Sequence, residues 1–235
     1  MLFFFTDPIL IAAAILPAVF LLVQVYRADT LEKEPPALIG SLLVRGVIAT
    51  ALAMFTEQIG THLLDLCLSA DSLIYNILLY FLVVACSEEG FKYLLLHNRT
   101  WYSPDFNCQF DGVVYATAVS LGFALWENIS YVALYGFGTA MVRAVTAVPG
   151  HACFGVFMGA FYGMAKRYDH YGRPGRSLLC RWLSFLFPAF LHGWYDFIAT
   201  TESSRCEWVF VVFIAVLFII ASAMVKRLSH RDQYI

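Results

Sequence analysis

Seven apolar stretches, each long enough to cross a lipid bilayer as a helix, leave this chain few folds to choose from. They cover residues 8–26, 37–59, 73–97, 112–136, 139–165, 178–199 and 207–226. A helical crossing needs about 20 apolar residues. Short polar links such as RADTLEKEPP and KRYDHYGRPGR separate the stretches. Of the 235 residues, 60% are hydrophobic and 14% charged, too little polar surface to cover a water-soluble globule. The expectation is an all-α, polytopic transmembrane bundle of about seven helices, forming one integral membrane domain over residues 1–235. The N-terminal stretch lacks a basic leader and outruns a signal peptide's apolar core, so it reads as a retained helix.

Orientation follows from the short links. Arg27, Lys33, Arg99, Lys166, Arg167, Arg173, Arg176, Lys226, Arg227 and Arg231 fall on one side. The other side has Arg143 and Arg205, and is otherwise neutral or acidic, with Asp7, Asp65, Asp71, Glu202 and Glu207. The positive-inside rule then puts the N-terminus outside and the C-terminus in the cytoplasm. A net charge of −2 offers no footprint for nucleic acid. The six cysteines show no metal-site spacing and read as plain buried thiols.

Ionisable groups inside apolar spans are costly and mark functional sites. Here they come in sets. The third stretch carries Glu88, Glu89 and Lys92, and the fourth Glu127 and Asn128; the fifth carries His151 and the sixth His192 and Asp196. At 1.5 Å per residue, Glu88 lies roughly 15 Å from the cytoplasmic helix end, and Glu127, His151 and His192 roughly 20 Å. Four helices thus bring polar groups to a similar depth, as a site in a helix bundle requires. His192 and Asp196 are four apart and share a helix face, as do Glu88 and Lys92. Asp196 can therefore orient the His192 imidazole or bind beside it. Glu88 and Glu89 point about 100° apart, so one faces the site and the other meets a partner such as Arg45 or a neighbouring helix. Glu57, in the second stretch, is expected to be dispensable. Arg143 reads as an interfacial anchor, with a substrate contact as the alternative. Gly150, Gly155, Gly159 and Gly163 form a close-packing stripe.

Imidazoles with carboxylates suit zinc. Such a metal polarises a carbonyl and acidifies water, while a nearby Glu takes the proton. No serine or cysteine stands at a nucleophile's spacing from a histidine.

In order, the chain reads Glu88-Glu89-x-x-Lys92, Phe123-x-x-x-Glu127, His151 and His192-x-x-x-Asp196. This pattern, with the Asp29–Pro36 run before it, resembles the PrsW family of intramembrane proteases, relatives of the CAAX-processing membrane proteases. The resemblance covers about residues 29–197. It implies a metalloendopeptidase that cleaves membrane-anchored proteins, for example an anti-sigma factor in site-1 processing. It further implies Glu88 and Glu89 as the catalytic acids, with Glu88 the water-activating base, and Glu127, His151 and His192 as ligands of a Zn2+ ion. Lys92, Asn128 and Asp196 take supporting roles. The expected partners are a membrane-anchored substrate and the bilayer of a prokaryotic cell membrane. The alternative readings are a proton- or cation-coupled transporter and a catalytically silent membrane scaffold.

Overall fold

The structure is a computed structural model that describes residues 8–201 and 204–235, with the backbone alone at 204 and 205. Asp7, Glu202 and the Arg205 side chain, all part of the charge comparison, lie outside the described residues.

Among the described residues, seven helical rods follow one another: α1 Pro8–Ala28, α2 Pro36–Cys67, α3 Leu73–Thr100, α4 Asp111–Tyr135, α5 Phe137–His170, α6 Pro174–Ala199 and α7 Ser204–His230. Among the described residues there is no β-strand, and one isolated bridge joins Cys108 to Tyr234. Five rods, α1, α2, α3, α5 and α7, are long and apolar enough to cross a membrane. α4 and α6 have 25 and 26 residues, a similar length, but their apolar runs are diluted. Glu127 and Asn128 interrupt α4, and Arg176, Arg181, His192 and Asp196 interrupt α6.

Two rods depart from regular helix. α3 runs as α-helix over Leu73–Ile77, as π-helix over Leu78–Val84 and as α-helix again from Ala85. The π stretch brings Phe81 against Gly193 of α6, where a Cβ would stand 2.5 Å from Phe81 Cδ1. The predicted single helix 139–165 is two arms, Phe137–Val145 and Ala147–His170, broken at Thr146. The proline at 149 falls in the first turn of the second arm, where its missing N–H costs no hydrogen bond.

α4 and α5 make the centre of the bundle. Every residue from Asp111 to Ala124 is buried, as is every residue from Gly150 to Ala160. The predicted glycine stripe explains their closeness: a Cβ on Gly159 would lie 2.4 Å from the Gly112 carbonyl oxygen and from Val113 Cα. Small residues let helix backbones approach where lipid supplies no hydrophobic drive. α2 and α6 flank this pair and α1 and α7 lie outside it. Leu16, Phe20, Phe55, Trp208 and Ile219 stay exposed, an apolar exterior suited to lipid. The basic links gather at one end, where Ser229 Oγ donates to the Ala28 carbonyl and Arg167 to Gln109 Oε1. All six cysteines are free thiols; Cys108, Cys153 and Cys180 are buried as expected, whereas Cys67 is exposed.

Candidate active site

A cavity of about 550 Å³ opens among α2, α3, α4, α5 and α6. Its floor is at mid-helix, with Thr50, Glu88, Phe123, His151 and His192, and its walls rise to Leu134, Tyr135 and Thr200. It therefore occupies the half of the bundle away from the basic links.

The sequence-predicted residues meet here. Lys92 Nζ, fully buried, donates to Glu89 Oε1 at 2.7 Å and to Glu88 Oε2 at 3.2 Å. It also lies 3.1 Å from His151 Nδ1 and 3.9 Å from the centre of the Phe123 ring. An ammonium has no lone pair, so His151 Nδ1 is the acceptor and its proton sits on Nε2. That Nε2 is 2.9 Å from Glu127 Oε2.

The second imidazole repeats the arrangement. His192 Nδ1 lies 2.9 Å from Glu89 Oε1. Glu89 already accepts from Lys92, so the carboxylate is the acceptor and Nδ1 carries the proton. The lone pair of Nε2 then faces Glu88 Oε2 at 3.8 Å and Asp196 Oδ2 at 3.4 Å. Phe154 stacks on His192 with ring centres 4.8 Å apart and holds its plane. Each histidine thus has a carboxylate behind it, Glu127 behind His151 and Glu89 behind His192. Carboxylate-backed imidazoles of this kind hold metals, because the outer partner fixes tautomer and orientation.

Glu88, Glu89, His151 and His192 offer ligand atoms that all lie within 4.8 Å of one another. Two imidazoles and two carboxylates form a donor set that fits a metal ion. Glu127 stands outside that group, and its partners are His151 and the Arg143 guanidinium at 3.0 Å.

Several expectations change. Arg45 does not meet either acid of α3; it donates to Asn98 Oδ1 at 3.3 Å. Arg143 is no interfacial anchor. The break at Thr146 folds the short arm of α5 against α4, so Arg143 pairs with Glu127 and donates to Asn128 Oδ1 at 3.1 Å. Asn128 in turn donates to the Ala14 carbonyl at 2.8 Å, tying α4 to α1. Glu57, expected to stand apart, lines the cavity, and its buried Oε1 has no hydrogen-bond partner. The rule that exposed the other acids, a charge alone in an apolar span, applies equally to Glu57.

A family profile described as PrsW family intramembrane metalloprotease matches residues 33–223. The chain belongs to the PrsW family. Protease PrsW of Oceanobacillus iheyensis is 34% identical over 218 residues, covering 93% of this chain and 95% of its own. Protease PrsW of Geobacillus kaustophilus is 33% identical, covering 93% and 91%. That of Bacillus subtilis is 32% identical, covering 89% and 90%. No solved structure matches. As a PrsW-family member the chain is a peptidase that works within the membrane, a multi-pass protein of a prokaryotic membrane.

Proposed function

We propose that this PrsW-family chain hydrolyses a peptide bond of a membrane-anchored protein with Glu88 as general base and a zinc ion held by His151 and His192. The observation that carries the reading is the clustering at the cavity floor: Glu88, Glu89, His151 and His192 offer ligand atoms within 4.8 Å of one another, and each imidazole has a carboxylate behind it. When bound, zinc supplies Lewis acidity that polarises the scissile carbonyl and acidifies water.

The chain's own residues do the rest. Glu88 lines the cavity, whereas Glu89 sits behind His192 with no exposure, so Glu88 receives the proton and Glu89 positions the imidazole. Lys92 bridges Glu88 and Glu89 and offsets one of their two negative charges. Asp196 and Glu57 add acceptor oxygens to the wall, where a proton can move towards the leaving amine. A substrate helix must unwind locally, because its carbonyls are otherwise held in hydrogen bonds.

With the N-terminus outside, the cavity opens in the outer half of the membrane. That placement favours site-1 cleavage of a single-span protein such as an anti-sigma factor. The test is metal content of pure wild-type protein beside a His151→Ala, His192→Ala variant, with cleavage of a quenched transmembrane peptide followed in parallel. Stoichiometric zinc in the wild type only, with chelator-sensitive cleavage, is expected. Equal, near-zero zinc in both would remove the metal from the mechanism.

A further inference from the structure

The basic end of the bundle contains a second group of buried acids, far along the helices from the cavity. Asp29 and Glu34 come from the α1–α2 link, and Asp111 opens α4. A ligand oxygen from each lies within 4.8 Å of the others. Their exposures are 2%, 1% and 0%, so bulk water does not screen them.

Local donors meet only part of their need. Glu34 Oε2 accepts from the Tyr115 hydroxyl at 2.6 Å. Asp111 Oδ2 accepts from the Asn107 and Cys108 N–H groups at 3.0 and 2.7 Å. Glu34 Oε1 and Asp111 Oδ1 are buried without any hydrogen-bond partner. The Leu31 and Glu32 N–H groups lie beside Asp29, but neither of its oxygens forms an aligned hydrogen bond. The neighbouring ammonium is spent elsewhere: Lys33 Nζ donates to the backbone carbonyls of Tyr26, Arg27 and Asp29 at the end of α1.

Three dry carboxylates this close need a positive partner. All-oxygen, all-carboxylate donor sets select hard divalent cations over zinc or copper. We propose that Asp29, Glu34 and Asp111 bind a hard divalent cation of the Mg2+ or Ca2+ kind, which ties the α1–α2 link to the start of α4. The C-terminal tail joins at the same place: Asp232 and Cys108 share a second group with Asp111, and Asp232 Oδ1 accepts from the Phe110 N–H at 2.9 Å. The site thereby anchors α4, which carries Glu127, to the α1–α2 link, with the C-terminal tail beside it.

The experiment uses full-length protein with His151→Ala and His192→Ala, so that the membrane site loses its imidazole ligands, and Glu34→Gln in that background separates the basic end from the acids left in the cavity. Chelator-stripped protein is titrated with Mg2+ or Ca2+ while thermal unfolding is followed. A saturable rise in Tm of about 5 °C or more is expected. Tb3+ serves as a second probe, its emission excited through Tyr115. A saturable signal displaced by Ca2+ or Mg2+, and lost in Glu34→Gln, supports the site. The cation titration needs no acid variant, so a misfolded Glu34→Gln would not rescue the idea. No Tm response, or terbium emission unchanged by Glu34→Gln, would mean that shared protons alone neutralise the acids, and the proposal falls.

Discussion

Glu89 Oε1 lies 2.9 Å from His192 Nδ1 and 2.7 Å from Lys92 Nζ, closing a fully buried triad across α3 and α6. Its neighbour Glu88 meets the same Lys92 but also lines the cavity. A single residue step, about 100° around the helix, therefore separates an acid packed behind His192 from an acid that lines the cavity.

The two acids should fail differently. Glu88→Gln keeps size and hydrogen-bonding capacity but removes the base, so cleavage falls by about 100-fold or more with Tm little changed. Glu89→Gln strips Lys92 of its closest counter-charge, and breaking a buried pair costs about 3–5 kcal/mol. Peptide cleavage and thermal unfolding of both variants check this. Equal Tm losses would show that the two positions are equivalent.

Arg143 holds Glu127 at 3.0 Å, and Glu127 backs His151. Removing the group bonded directly behind a metal ligand typically costs about 10–100-fold in affinity or activity, and Arg143 acts one step further out, through Glu127. Arg143→Ala should therefore lower kcat/KM and bound metal together, with Arg143→Lys recovering part of both. An anchor role would leave both readouts unmoved.

Gly159 packs backbone to backbone on Gly112 and Val113, so a side chain there has nowhere to go. Gly159→Val should push α5 from α4 and cost at least about 1–3 kcal/mol. Lower Tm and loss of cleavage would accompany each other, since Glu127 and His151 sit on those two helices. Gly175→Ala, where a Cβ meets nothing within 4 Å, is the matched control.

Stability should also depend on pH through the basic end. Burial raises the Glu34 carboxyl from its ordinary 4.5 to about 7. Tyr115 and Asp111 face it from α4, and Asp29 and Glu32 from its own link. Asp232 adds negative charge from the tail beside Asp29 and Asp111. A carboxyl whose folded pKa is raised stabilises the fold while protonated, so its contribution is full below about 4.5 and is lost as pH climbs to about 7. In chelator, Tm should fall between pH 5 and about 7.5. Mg2+ or Ca2+ should flatten that fall by taking the proton's place. A Tm that rises across this window in chelator would contradict the assignment.

Much of the site was legible before any coordinates. The i, i+4 spacing gave a real pair in Glu88 with Lys92 and brought His192 and Asp196 to one face 3.4 Å apart, because helical geometry fixes which side chains share a face. Helical phase also told that Glu88 and Glu89 differ, but not which of them faces the cavity. Arg143 was misread because nothing in its own stretch announces the break at Thr146 that turns it inward. Glu57 was set aside although Thr50, Met54 and Glu57 form an i, i+4, i+7 stripe, and all three line the cavity.

The sequence by itself determined a helical membrane bundle and the polar residues held at one depth within it. Apolar length and helix pitch are local properties, and they decide span, depth and face without reference to any neighbour. Only the tertiary structure decided the pairing: which carboxylate stands behind which imidazole, where Lys92 directs its three hydrogens, and that the cavity lies opposite the basic links. Those relationships depend on how the glycine-lined faces of α4 and α5 dock and where α3 and α5 depart from regular helix. They are long-range packing outcomes that no single stretch encodes.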